Sequence, residues 1–158
     1  MANFDVLELI PRAYSLPSVT DFVPSGGGRD GLTKQDVMAA LAASRLCPGD
    51  IGPELLQDYA LALGGLAPHN TGLVIDRIRL EVDRLILPPT HTARCASAAA
   101  VQAYRWLVVG DKRPRDAIAL ELRVRAGTYR VHSQCADHFA TGALNSAMEK
   151  FRRLLKKI

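Results

Sequence analysis

Apolar residues recur at three- and four-residue spacing along most of the chain, which predicts amphipathic helices. Val37, Met38, Leu41 and Ala42 form one stripe, and Leu55, Leu56, Tyr59, Ala60 and Leu63 a second. Positions 74, 75, 78, 82, 85 and 86 give a helical face between Leu73 and Leu87, although Ile78–Val82 also alternates as a strand would. Ala93, Ala96, Ala100, Val101, Tyr104, Leu107 and Val108 point to a longer helix opened by Thr90 or Thr92. Ile118, Leu120, Leu122 and Val124 mark a helix over 115–125, and Leu144, Ala147, Met148, Phe151, Leu154 and Leu155 a final one. Residues 1–10 read as a short helix or strand.

Punctuation between the stripes agrees with this division. Thr33-Lys34-Gln35-Asp36 has the form of a capping box. Cys47-Pro48-Gly49-Asp50 stops the helix it opens, Pro53 suits the first turn of the next, and Gly64-Gly65 ends that one. Pro88-Pro89 terminates the stripe before it. From Pro11 to Gly31 the chain carries Pro11, Pro17, Pro24 and Gly26-Gly27-Gly28, which predicts a flexible arm or linker. The three glycines lack the Gly-Lys-Ser/Thr that a phosphate-binding loop requires. The expected fold is mostly α: a small helical bundle over 32–110, preceded by the arm of 1–31 and followed by a distinct segment, 111–158.

Charge sets that last segment apart. Residues 1–110 hold 9 Lys/Arg against 11 Asp/Glu, whereas 111–158 hold 11 Lys/Arg against 5 Asp/Glu. Basic charge gathered at one end favours a polyanionic partner, because each phosphate contact releases condensed counterions. No apolar run reaches the length of a membrane span. Met1–Asp5 shows no basic stretch leading into an apolar one, so no secretory leader is expected. Three cysteines, an odd number without tight spacing, predict reduced thiols and a cytoplasmic setting.

Within 111–158 the expected layout is a helix over 115–125, a turn at Ala126-Gly127-Thr128 and a short helix from Tyr129 to Ala136. A second turn at Asp137-His138-Phe139 and a longer basic helix follow. This is the arrangement of a helix-turn-helix, whose last helix enters the major groove by its N-terminal residues. Thr141, Asn145, Glu149 and Arg152 would face base edges, Asn pairing with adenine and Arg with guanine. Lys150, Arg153, Lys156 and Lys157 would meet phosphates, and Arg130 is a further candidate for DNA binding.

Thr128-Tyr129-Arg130, followed by the run Ala140–Leu155, resembles the helix-turn-helix with which sigma factors read the promoter −35 element. Ser133 stands where that pattern has a tight Ala. A small protein with such a module at its C-terminus is similar to the Q-type late antitermination proteins of lambdoid phages. The resemblance implies a transcription regulator that binds double-stranded DNA and joins RNA polymerase in a host cytoplasm. The alternative is a helical protein-interaction module, an inhibitor or assembly subunit whose C-terminal helix is an oligomer or partner interface.

Other chemistry leaves fainter marks. His91, Cys95, Cys135 and His138 are of the right types for tetrahedral zinc but lack a Cys-x-x-Cys knuckle, and small buried cysteines with surface or turn histidines are the expected reading, with no metal. Asp76, Glu81 and Asp83 alternate with arginines, as salt-bridged helix faces do. No enzyme and no cofactor is expected.

Overall fold

The computed structural model describes residues 6–15 and 33–157. Among them the helices are α1 (Leu9–Ser15), α2 (Lys34–Ala43), α3 (Gly52–Leu63), α4 (Thr71–Leu85), α5 (Ala93–Tyr104), α6 (Arg115–Leu122) and α7 (Ala126–Lys156), with no strand among these residues. The mostly α fold is as expected. The alternation at Ile78–Val82 is overridden by the stripe of Val74, Ile78 and Val82, which α4 buries on one side. The glycine-rich part of the expected arm lies outside the described residues.

Residues 1–69 and 144–158 form one unit and residues 70–143 another. α7 therefore contributes its first half to one and its second half to the other.

In the first unit, α1, α2 and α3 pack against one another. Leu9, Ile10, Val37, Leu41, Leu55, Leu56 and Leu61 fill its core, and Leu144, Ala147, Phe151 and Leu155 of α7 are buried as well. Helix α1 runs through Pro11, where a loop was expected to begin. The ring sits in the first turn of α1, where its missing N–H has no intrahelical partner to lose. Thr33 caps α2 as the sequence foretold: its hydroxyl accepts from the Asp36 amide at 3.2 Å, and the Asp36 carboxylate accepts from the Thr33 amide at 2.9 Å. Between α2 and α3, Asp50 accepts from the amides of Leu46 and Gly52, and Arg45 forms a two-pronged ion pair with Glu54. Gly64 caps α3 directly against α1, where a Cβ would lie 2.5 Å from the Pro11 Cβ. The helix ends because Gly65 takes a left-handed backbone (φ 77°), which turns the Gly65 and Leu66 amides back onto the Ala62 and Leu61 carbonyls.

The second unit is held partly by polar groups. Gln102, on α5, accepts from the Tyr129 hydroxyl at 2.6 Å and the Ser133 hydroxyl at 3.2 Å, and donates to the Arg113 carbonyl at 3.0 Å. Arg115, at the start of α6, donates to Ser133 at 2.8 Å and to Asp137 at 2.6 Å. One buried amide thus ties α5 to α7 and to the loop that leads into α6. Ser133 is buried and has two partners in this network, which a tight Ala could not provide. His132 is also buried; its Nδ1–H donates to the Thr128 carbonyl and its Nε2 accepts from the Thr92 amide at 3.1 Å, so its partners fix the tautomer. After Tyr104, α5 widens into a π-helical turn, Arg105–Val109, which buries Val108 and leaves Trp106 half exposed.

Two tests follow from this packing. Gly64→Ala should lower stability by about 1–3 kcal/mol through collision with Pro11, read as a lower denaturant midpoint at unchanged slope. Burial raises Tyr129 well above the ordinary tyrosine value of 10.0. The unfolded chain therefore holds fewer protons above about pH 10, and stability falls as pH rises past that point. Tyr129→Phe should cost about 1 kcal/mol at neutral pH and make the alkaline decline shallower; an equally steep decline would exclude Tyr129 as its source.

Candidate nucleic-acid interface

The segment expected to form a helix-turn-helix has a different shape. Helix α6 ends at Leu122, and Arg123 adopts the left-handed conformation (φ 57°, ψ 45°) that closes a helix C-terminus. Its amide and that of Val124 bond back to α6 carbonyls. A turn at Arg123-Val124-Arg125 therefore precedes α7, close to the one expected at 126–128. The second expected turn, Asp137-His138-Phe139, does not form: α7 is one helix of 31 residues from Ala126 to Lys156.

The reason lies in the buried face of α7. Tyr129, His132, Ser133, Ala136, Ala140, Leu144, Ala147, Phe151 and Leu155 are all buried, at steps of one, three and four that never lose helical phase. A turn at 137–139 would put Ala140 and everything beyond it out of register. Asp137 also has a partner that favours the helix, since Arg115 holds its carboxylate.

The opposite side of α7 carries the residues proposed for DNA. Arg130, Thr141, Asn145, Glu149, Arg152, Arg153, Lys156 and Lys157 are exposed, and Lys150 is half-buried, its ammonium 3.5 Å from the Arg45 carbonyl. Thr141 and Asn145 stand in the body of a long helix instead of at the exposed N-terminus of a recognition helix. Arg130 lies about four turns before Asn145 and belongs to the other unit. The last two turns hold Lys150, Arg152, Arg153, Lys156 and Lys157 against the single acid Glu149. Glu149 stands 3.7 Å from Arg153, and among the described residues Lys156 and Lys157 form no ion pair. The basic side of this ridge was legible from sequence; the uninterrupted helix beneath it was not.

The four residues of the zinc set are not brought together. Among the described residues no three His, Cys, Asp or Glu side chains could share a metal ion. His91 Nε2–H donates to Asp83 at 2.8 Å, Cys95 is buried, and His138 is exposed. Burial pushes the Cys95 and Cys135 thiols up from their ordinary value, which favours the protonated form over the thiolate a metal or a nucleophile needs.

Sequence reading missed a groove of about 590 Å³ between α5 and α6, with Ala98, Val101, Ile118 and Leu122 among its apolar lining and Arg94, Arg105 and Arg113 among its charged residues. Arg105 pairs with Asp111 and Arg113 with Glu121. The exposure of Val101 beside the end of α6 could not be read from a stripe that assigned Val101 to the core.

The chain matches no protein family, no curated protein and no solved structure.

His138 is exposed, so a substitution there tests helix continuity without disturbing the core. His138→Pro should destabilise the protein by about 3 kcal/mol or more, the cost of proline in a helix interior; a turn at this point would tolerate it with little loss.

Proposed function

We propose that this protein binds double-stranded nucleic acid through phosphate contacts made by the C-terminal turns of α7. The observation that carries the reading is the density of exposed cations from Arg152 to Lys157, with Lys156 and Lys157 unneutralised by any carboxylate among the described residues. A helix of this kind attracts a polyanion through counterion release and needs no base-specific contact to do so.

A role as a transcription regulator of the antitermination type, with RNA polymerase as partner, is the more specific form of this proposal. It drew on a helix-turn-helix with a second turn, and the unbroken α7 withdraws that support. The protein-interaction reading has its own support in the apolar groove between α5 and α6, away from the basic ridge in sequence and in chemistry.

The test is fluorescence anisotropy of the full chain titrated onto random-sequence duplex DNA at two salt concentrations. Binding should weaken steeply with salt. Lys156→Ala with Lys157→Ala should lower affinity for every duplex and make the slope of log K against log salt shallower by about one per lysine removed. Asn145→Ala should leave random-duplex affinity unchanged. Absence of binding at low salt, or undiminished binding by the double variant, would overturn the proposal.

A further inference from the structure

The groove between α5 and α6 is built from one face of each helix. On the α5 side Arg94, Ala98, Val101 and Arg105 line it, at steps of four, three and four. Cys95, Ala96, Ala99, Ala100 and Ala103 take the opposite side of α5 into the core. From α6 come Ile118 and Leu122, one turn apart. Sites for small molecules are concave and mostly apolar, with a few polar groups that fix orientation. At about 590 Å³ this groove lies within their ordinary range of size.

The charges in the lining do not cancel. They are Arg94, Arg105, Arg113, Asp111 and Glu121, three guanidiniums against two carboxylates. Arg105 donates to Asp111 at 3.0 Å, and Arg113 pairs with Glu121. Both carboxylates are thereby neutralised. The Arg94 guanidinium is exposed and forms no ion pair or hydrogen bond among the described residues. Its neighbour Cys95 is buried, and burial keeps that thiol protonated, so no anion there answers the guanidinium. The surplus is one positive charge, at the end of the groove where α5 begins.

We propose that this groove binds an amphipathic monocarboxylate, its carboxylate on Arg94 and its apolar chain laid between α5 and α6. A planar guanidinium matches both oxygens of a carboxylate. One surplus cation suits one anionic group, and an amine of the same shape would meet repulsion. Arg94 and Arg105 stand eleven residues apart, about 16 Å along the helix. An extended chain of about ten carbons fits within that span, over Ala98 and Val101 and short of the ion pair at Arg105. The proposal goes beyond nucleic-acid binding, which rests on α7, and either stands without the other.

Isothermal titration calorimetry of the full chain with decanoate, kept below its micelle concentration, tests the proposal. Saturable binding of one decanoate per chain is expected, and decylammonium should bind more weakly by about tenfold or more. Arg94→Gln should weaken decanoate by about tenfold, the loss of one charge-assisted contact, and leave the affinity for decanol unchanged. Val101→Glu sets a charge in the path of the chain and should weaken decanoate and decanol alike. Both positions are exposed, so the circular dichroism and thermal midpoint of the unliganded variants should match those of the parent. Three results would each overturn the proposal: no saturable heat with decanoate, decylammonium binding as tight as decanoate, or undiminished decanoate binding by either variant.

Discussion

The apolar face of α7 is the constraint on which most of the structure depends. Burial of nonpolar surface is the main favourable term in folding, and α7 offers it along nearly its whole length, from Tyr129 to Leu155. Each unit takes part of that face into its core. In the second unit the face carries polar groups as well, and these are admissible only because each finds a partner. Tyr129 and Ser133 meet Gln102, and His132 meets Thr92.

Much of the fold was legible because its signals are local. The Thr33–Asp36 box, the stop at Cys47–Asp50, the end of α3 at Gly64 and the face of α4 are each set by a few neighbouring residues. The failures share a cause of the opposite kind. Asp137-His138-Phe139 looks like a turn because it interrupts a run of small apolar residues, but tertiary contacts decide it: Asp137 is held by Arg115 from another helix, and Ala136 and Ala140 keep the buried face in phase. Pro11 was read as a breaker, whereas its position in the first turn of α1 removes the penalty. Val101 was assigned to the core stripe of α5, but the buried Cys95, Ala96, Ala99, Ala100 and Ala103 put it on the far side of that helix, where it lines the groove beside α6.

The candidate site divides the same way. Net charge is a sum over sequence, so the basic character of the last turns needed no fold to be seen. Base reading depends on how a helix end is presented to a groove, and that is set by the turn before it. Once 137–139 is helical, Thr141 and Asn145 keep their exposure but lose the position that would have made them readers. Charge survived the change of backbone; the assignment of individual base contacts did not.

The division of α7 between two units has a consequence for how the chain is made. Residues 70–143 form a unit that is continuous in sequence and can close while synthesis is still under way, as domains emerging from a ribosome generally do. The other unit draws on residues 1–69 and on 144–158. Its N-terminal helices are translated first but lack Phe151 and Leu155 until the end of α7 emerges. The helices of 1–69 are therefore made before 70–143 but completed after it, once Phe151 and Leu155 are in place.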